Sequence, residues 1–475
     1  MSKKEYELVM GLEVHVELKT NTKIFCNCTT EFGGEPNSHC CPVCMGFPGA
    51  LPVLNEEVVN YAIRAGIATN CEITRSGRQD RKHYFYPDLP TAYQISQDDL
   101  PICHNGYLDI ETDGKTSRIG ITRIHIEEDA GKLVHKAEGG TLVDYNRCGV
   151  PLIEIVSEPD LRSAEEVRAY LQKLRAIMMY IDVSDCKMNE GSFRCDVNLS
   201  VREKGEEEFG TRVEMKNLNS FQSIMKAIEY ESQRQINAIE DGVELIQETR
   251  RFDQNTSKTY SMRKKENAHD YRYLPDPDLM PIIIDDNRIQ KIKDELPELP
   301  DVRKALYIKE YGLSSYDAEQ LISSKEVANY FEQAAKKVKN TKILANLLIS
   351  EIFRLTGIEE FKVPFSPEYL AELVNLIEDG SINSSTSKKI IEDMWKEPRS
   401  PREIVKEKGL EQINDEAILL PIIDEVISKN QRAVNEYIDG NEKALQSLIG
   451  QVMGRTKGKA NPQLTIEIMK DRLNK

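Results

Sequence analysis

Alternating hydrophobic and polar positions dominate the first 290 residues and predict strands. In the first such segment, Leu12, Val14 and Val16 fall on one face, because successive side chains of a strand point to opposite sides. Three later segments show runs of the same kind, at residues 118–126, 151–156 and 195–201. Apolar positions at helical spacing, with serine at or near the start, predict helices over 163–179 and 220–241. Strands and helices do not alternate regularly, so the pattern favours an α+β domain with a mixed or antiparallel sheet.

After residue 290 the pattern changes to helical spacing. It predicts helices at 301–312, 317–322, 325–337, 342–357, 367–379, 387–395 and 402–409, and a helical tail over about 411–475. Proline-containing segments at 295–300 and 396–401 cannot continue a helix, so they mark breaks. The sequence therefore predicts an α+β domain over 1–294, an all-α domain over 295–408 and a small all-α tail domain over 409–475.

Composition limits the class of protein. The chain has 475 residues, with 63 Lys and Arg against 79 Asp and Glu, so its net charge is −16. Such an acidic chain is not a generic binder of polyanions, and contacts to nucleic acid would need local basic patches. The sequence contains no run of eighteen apolar residues, so we expect no membrane insertion or secretion. Scattered cysteines without a disulfide framework fit a reducing cytoplasm.

Four cysteines near the start form the clearest local motif. Cys26 and Cys28 are followed after twelve residues by Cys41 and Cys44. Two close thiol pairs joined by a short loop are typical of a tetrahedral structural zinc site. Cys40 could replace Cys41 as a ligand. The alternative to a zinc site is a group of unrelated buried thiols.

Acidic residues on predicted strands suggest a second metal site. Glu13, His15 and Glu17 share the face of the first strand opposite its apolar residues, although a solvated sheet face would show the same pattern. Glu154 lies within an otherwise apolar strand, and a buried carboxylate requires a cation or a metal. Residues 127–129 add three consecutive acids. Oxygen ligands with one histidine suit magnesium or manganese better than zinc.

Basic and amide side chains form a second group of candidates. The segment 80–90 mixes cations with aromatic residues, and residues 216–220 lead into a predicted helix, whose first amides favour an anion. Period-two spacing places Arg194, Asp196 and Asn198 on one strand face, which is either a phosphate site or an ordinary polar surface. The sequence contains neither a P-loop pattern nor a nucleophile elbow, which excludes the commonest nucleotide and hydrolase folds.

The C-terminal segment reverses the charge of the chain. Residues 450–475 carry six basic side chains against two acidic ones, and Arg455, Lys457 and Lys459 lie in a glycine-containing turn. A flexible basic turn between helices can follow a phosphate backbone, whereas a solvated helix end would have the same composition.

Several long motifs resemble one family. They are residues 11–18, 84–90, 93–97, 125–132, 151–160, 190–198, 214–220, 270–278 and 458–463. Together they make the whole chain similar to the B subunits of tRNA-dependent aspartyl/glutamyl-tRNA amidotransferases. This resemblance implies a cradle domain with the kinase and transamidase site, a helical domain, and a helical tail that binds tRNA.

The resemblance also implies an activity and its residues. A ligase of this kind uses ATP to phosphorylate the side-chain carboxylate of Glu-tRNA(Gln), Asp-tRNA(Asn) or both, and ammonia then displaces the phosphate. Its magnesium ligands and catalytic residues correspond to Glu13, His15, Glu128 and Glu154. Its nucleotide and phosphate contacts correspond to Arg81, Lys82, Arg194, Asp196, Asn198 and Lys216.

The resemblance finally implies partners. The sequence lacks the serine and lysine signature of a glutamine-hydrolysing amidase, so ammonia would come from an amidase A subunit, with a small C subunit contacting both. The alternative to an enzyme subunit is a zinc-containing, tRNA-binding scaffold without catalysis of its own.

Overall fold

The computed structural model describes residues 4–136, 138–264, 271–356, 361–456 and 458–473. The chain divides into two compact units, Met1–Leu299 and Pro300–Lys475. Among the described residues, no helix combines the length and the apolar character needed to span a membrane.

In its described residues, the first unit contains a large sheet, three smaller sheets and helices. Its strands are β1 (Tyr6–Glu17), β2 (Glu72–Ile73), β3 (Ser76–Gly77), β4 (Asp80–His83), β5 (Tyr93–Ser96), β6 (Cys103–Thr112), β7 (Lys115–Glu128), β8 (Lys132–His135), β9 (Thr141–Asp144), β10 (Pro151–Ser157), β11 (Phe193–Glu203), β12 (Val213–Lys216), β13 (Glu248–Asp253), β14 (Lys258–Lys264), β15 (Leu274–Pro275) and β16 (Ile282–Ile283). Its helices are α1 (Glu56–Ala68), α2 (Ala164–Tyr180), α3 (Phe221–Glu240) and α4 (Asp286–Glu295).

The large sheet has the strand order β14-β13-β12-β11-β1-β10-β7-β6-β2. Its neighbouring strands pair antiparallel except for β12 and β13, which pair parallel, so the sheet is mixed. The apolar face of β1 and the helices α1, α2 and α3 share one hydrophobic core, which includes Val14, Leu171 and Ile224. The opposite face of the central strands is therefore left for polar side chains.

The predicted elements of the first unit are confirmed, with longer strands than the pattern indicated. Serine caps begin both predicted helices: Ser163 accepts a hydrogen bond from the amide of Glu166, and Ser220 accepts one from that of Ser223. Helices α1 and α4 were not predicted. The buried positions Val58 and Ala62 of α1 have helical spacing, but glycine, proline and asparagine dominate the composition around this helix.

The second unit is helical, as the spacing predicted. Its helices are α5 (Pro300–Tyr311), α6 (Ser315–Leu321), α7 (Lys325–Ala335), α8 (Thr341–Leu347), α9 (Phe353–Thr356), α10 (Pro367–Glu378), α11 (Ser384–Lys396), α12 (Pro401–Lys408), α13 (Glu416–Lys429), α14 (Gln431–Ile438), α15 (Glu442–Arg455) and α16 (Pro462–Leu473). One hydrophobic core contains Phe331 and Leu370, and another contains Leu419 and Leu448.

One predicted helix of this unit is not continuous. The segment expected as a single helix over 342–357 consists of α8, a π-helical turn at Leu348–Ile352, and α9; residue 357 lies outside the described part. Glu351 in the π-turn is 4% exposed and pairs with Lys388 at 2.7 Å. The π-turn has a larger diameter than an α-helical turn, and it lies where the buried Glu351 carboxylate contacts Lys388.

Candidate active site

A cavity of about 690 Å³ lies on the polar face of the large sheet. Side chains of β1, β7, β10, β11 and β12 line it, together with Lys82 and the aromatic residues Tyr84, Tyr271 and Tyr273. Acids, histidines and cations converge there, which is the usual composition of a catalytic pocket for charged substrates.

Strand register explains why distant segments meet in this cavity. His15 of β1 pairs with Glu154 of β10 on one side and with Arg194 of β11 on the other. Glu154 in turn pairs with His125 of β7. Residues directly opposite in neighbouring strands point to the same face, so these four side chains form one row across the sheet.

The first group of candidate ligands consists of His15, Glu127 and Glu154, whose ligand atoms lie within 4.8 Å of one another. The Nε2 atom of His15 is 3.3 Å from Glu154 Oε2 and 3.5 Å from Glu127 Oε1. The Nε2 atom of His125 lies 3.4 Å from both carboxylates. Two imidazoles thus offset the charge of two acids that are at most 8% exposed.

The pKa values of this group follow from these contacts. Burial opposes ionisation of Glu154, but the charges and hydrogen bonds of His125 and His15 together outweigh it and hold the pKa of Glu154 well below its usual range. Burial likewise opposes the charge on His125, yet Glu154 and Glu127 raise its pKa to about 9. Burial also opposes the charge on His15, but the hydrogen bond to Glu154 and the charges of Glu154 and Glu127 together raise its pKa.

The second group consists of Glu13, Asp196 and Glu214, again within 4.8 Å. Lys216 forms ion pairs with Asp196 and, at 2.9 Å, with Glu214. Asn198 donates a hydrogen bond of 2.9 Å to Glu13 Oε1. Burial and the nearby charge of Glu154 raise the pKa of Glu13. Three carboxylates beside one lysine leave an excess of negative charge that a cation can balance.

Both groups fit a hard divalent cation. Neighbouring ligands of an octahedral Mg²⁺ at 2.0–2.1 Å lie about 3 Å apart, close to the 3.3–3.5 Å spacing around His15. Donors of this kind, carboxylate oxygens with a single imidazole in the first group, suit magnesium or manganese.

The structure does not bring Glu128, expected at this site, together with these residues. Consecutive residues of a strand point to opposite faces, so Glu127 faces the cavity and Glu128 faces away from it. The Glu128 carboxylate accepts a hydrogen bond of 2.9 Å from the Ile95 amide, and burial raises its pKa to about 7.

The predicted phosphate contacts are only partly brought together. Lys82, Arg194, Asp196 and Lys216 line the cavity. Arg81, in contrast, points away and binds Asp276 at 2.7 Å and Asp278 at 2.9 Å, with its guanidinium 4.4 Å from the ring centre of Tyr93. Asn198 is not among the residues that line the cavity, and its side-chain amide contacts Glu13, which is.

Sequence reasoning missed further residues of the cavity. They are Arg123, His125, Arg212 and Glu214, whereas Glu127 was among the three consecutive acids noted in the sequence. Period-two spacing relates Arg123, His125 and Glu127 within β7, and Arg212, just before β12, to Glu214, but it does not tell which face of an isolated strand borders a cavity.

The four predicted zinc ligands meet in space. The Sγ atoms of Cys26, Cys28, Cys41 and Cys44 lie within 4.8 Å of one another. Cys44 Sγ is 4.0 Å from Cys28 Sγ and 3.9 Å from Cys41 Sγ. A tetrahedron of thiolates at 2.3 Å from zinc has edges of about 3.8 Å, so the set fits this ion.

Cys40 lies outside this set of four, which leaves Cys41 as the fitting ligand. The Cys40 thiol points to the side-chain oxygen of Asn146, 3.9 Å away. Asn146 also accepts from the amide of His39 and donates to the carbonyl of Glu35, so it ties the cysteine loop to the segment after β9.

The three residues predicted to bind tRNA belong to the second unit. Arg455 ends α15 and pairs with Glu425 of α13 at 2.5 Å. Lys459 is partly exposed, and its carbonyl accepts a hydrogen bond from the Ile413 amide. Lys457 lies outside the described residues.

Comparison with known proteins identifies the class. Residues 8–290 match the model of the GatB/GatE catalytic domain, and residues 329–473 match that of the GatB domain. The chain is 58% identical over 478 aligned positions to the B subunit of the aspartyl/glutamyl-tRNA(Asn/Gln) amidotransferase from Caldicellulosiruptor saccharolyticus. It is 55% identical over 479 positions to the corresponding protein of Carboxydothermus hydrogenoformans; in both cases 99% of this chain and 100% of the relative are covered.

The fold and these matches define a component of an amidotransferase for tRNA-dependent formation of asparagine or glutamine. The chain belongs to the GatB family, the B subunits of aspartyl/glutamyl-tRNA(Asn/Gln) amidotransferases.

Proposed function

We propose that this chain carries the kinase and transamidase site that converts Glu-tRNA(Gln), Asp-tRNA(Asn) or both into the corresponding amides. A side-chain carboxylate oxygen attacks the γ-phosphorus of ATP, and the bond to the β-phosphate oxygen breaks to release ADP. Ammonia then attacks the acyl carbon, loses a proton, and displaces inorganic phosphate. The observation that carries the proposal is the joint presence of two acidic groups and several cations in one cavity.

The two acidic groups would hold Mg²⁺, one through His15, Glu127 and Glu154 and the other through Glu13, Asp196 and Glu214. A bound divalent cation neutralises phosphate oxygens and so favours phosphoryl transfer between two anions. Lys82 lines the same cavity and supplies positive charge toward the phosphates of ATP, and Arg194, which is paired with Asp129, offers further hydrogen-bond donors there.

The thiol set would hold a structural zinc. Four thiolates leave zinc no open position, so the ion would fix the loop between β1 and α1 and take no part in the reaction.

Ammonia and tRNA require further components. We propose that an amidase A subunit supplies ammonia, that a small C subunit contacts both, and that the tail with Arg455, Lys457 and Lys459 binds tRNA. The names of the relatives, which are those of one subunit among several, support a complex of this kind. We also propose the division into a cradle domain over 1–294, a helical domain over 295–408 and a tail domain over 409–475.

The test is amide formation by the copurified complex with ATP, glutamine and either misacylated tRNA. Glu154→Gln should abolish formation of ADP that depends on the aminoacyl-tRNA, while tRNA affinity stays unchanged. Full activity of this variant would favour the alternative, a zinc-containing tRNA-binding scaffold whose catalysis resides in a partner.

A further inference from the structure

The cations of the cavity fall into two classes. Arg194 binds Asp129 at 2.7 Å, and Lys216 binds Asp196 and Glu214, so nearby carboxylates already balance these two charges. Within the described ranges, Lys82, Arg123 and Arg212 line the cavity and have no carboxylate within ion-pair distance. Arg212 is exposed, which leaves Lys82 and Arg123 as the two that are partly buried.

Arg123 has the more unusual surroundings of the two. It lies on β7 two residues before His125 and pairs with Val156 of β10, so its side chain is on the face that carries the acidic groups. Its Nε atom is buried and has no hydrogen-bond partner among the described residues. Arg118 on the same strand binds Asp109 at 2.8 and 3.0 Å.

A guanidinium with a buried, unpaired Nε is costly unless a ligand completes its hydrogen bonds. Its planar fork matches two oxygens of a carboxylate or a phosphoryl group. Lys82 adds charge nearby, where burial opposes its charged form but Glu127 and Glu154 raise its pKa. Its ammonium lies 5.1 Å from the ring centre of Tyr271.

We infer that Arg123 is a substrate-binding residue that holds an oxyanion of a reacting substrate. This inference rests on the proposed function and deepens it. The oxyanion is either the side-chain carboxylate of the aminoacyl group or a phosphoryl group of ATP, since both present the same pair of oxygens. If it is the carboxylate, conversion to the neutral amide removes the partner of Arg123, and the product is bound more weakly than the substrate.

The experiment compares Arg123→Gln and Arg123→Lys in the assembled complex. Arg118→Gln is the matched control, because Arg118 is an exposed arginine of the same strand with a carboxylate partner outside the cavity. Equilibrium dialysis gives the Kd for ATP, and steady-state kinetics gives KM and kcat for the misacylated tRNA. Binding of uncharged tRNA and the melting temperature report on folding.

We expect Arg123→Gln to weaken the binding of one substrate by about tenfold or more. Arg123→Lys should recover part of this binding, because lysine keeps the charge but loses the two-pronged guanidinium geometry. A rise confined to the KM for misacylated tRNA identifies the carboxylate. A rise in the Kd for ATP identifies the phosphoryl group. The control should change neither value by more than about a factor of two.

An active wild type together with unchanged substrate constants in Arg123→Gln would overturn this inference and leave the proposed function intact. A folded wild-type complex that forms no amide with either tRNA would overturn the proposed function, and the inference with it. A variant with unchanged constants for substrates but a lower melting temperature would show a structural role only, which also overturns the inference.

Discussion

Two adjacent acids near the end of β7 differ completely in their surroundings. Glu127 contacts His15 and His125 in the cavity, whereas Glu128 accepts a hydrogen bond from the Ile95 amide on the other side of the strand. The two residues have the same chemistry and neighbouring positions, so the strand face alone distinguishes them. A comparison of variants at these two positions therefore tests the location of the proposed phosphoryl-transfer site.

We predict that Glu127→Gln lowers ADP formation that depends on the aminoacyl-tRNA by about a hundredfold or more, because it removes charge from the proposed metal-binding group. Glu128→Gln should keep most of this reaction. The measurement is ADP release from the complex with saturating Mg²⁺, ATP and Glu-tRNA(Gln). Equal losses in both variants would contradict the assignment of Glu127 rather than Glu128 to the site.

At the scale of elements, the loop between β1 and α1 is held by side-chain contacts more than by regular structure. Its four thiols converge, and Lys23 contributes a fully buried ammonium 3.7 Å from Cys44 Sγ and 3.2 Å from the Tyr145 carbonyl. A metal at the thiols would close the loop onto the segment that follows β9.

We predict that Cys41→Ser removes the bound zinc and lowers the melting temperature of the full chain by about 5 °C or more, since metal binding contributes to folding. Cys40→Ser is the matched control, because Cys40 is one residue away and outside the set of four. This variant should retain both the zinc and the melting temperature of the wild type. Zinc content by mass spectrometry and thermal unfolding of the same samples provide the test. A zinc-free Cys40→Ser protein would show that Cys40 is a ligand.

At the scale of the whole molecule, charge is unevenly distributed. The chain carries a net charge of −16, while its last 26 residues carry an excess of basic side chains. If the chain binds tRNA as proposed, this segment would have to attract the polyanion against the repulsion of the remainder.

Replacing Arg455, Lys457 and Lys459 together by Ala should weaken tRNA binding and reduce the slope of log affinity against log salt by about two to three. Each phosphate contact contributes about 0.7–0.9 to that slope. The control replaces Lys389 and Lys396, two exposed lysines of α11. An unchanged slope in the triple variant would refute tRNA binding by the tail.

The ion pair between Arg455 and Glu425 leads to a prediction of stronger rather than weaker tRNA binding. Hydrogen bonds from Lys429 and Arg455 lower the pKa of Glu425 to about 2, so this acid is charged at neutral pH and offsets Arg455. Glu425→Gln should therefore raise tRNA affinity by about two- to fivefold at low salt. Weaker binding would show that the pair orients Arg455 rather than masking its charge.

How much of the fold could be predicted depends on the element. The strands around Val14 and Glu154 and the helices capped by Ser163 and Ser220 follow from periodicity and capping, which are local properties. Helix α1 was missed because the composition around it favoured loops, although its buried positions have helical spacing. The π-turn around Glu351 brings this buried carboxylate to Lys388, an exposed residue 37 positions away that no local pattern indicates.

The residues of the candidate site likewise divide into those that a local sequence pattern marks and those that it does not. The thiol set was predicted because the spacing of its cysteines is itself the signal. Glu13, His15 and Glu154 were chosen by their types and strand pattern and by family resemblance, whereas Arg123 and Glu214 were missed because nothing local marks them.

By itself, the sequence determined which residues alternate, which helices begin at serine and which cysteines have the spacing of a zinc site. The tertiary structure alone decided that β10 lies between β1 and β7, so that Glu127 and not Glu128 reaches His15. It also decided that Arg81 pairs with Asp276 while Arg123 borders the cavity. The physical reason is that periodicity fixes the relative face of each side chain, but only strand order and packing decide what that face contacts.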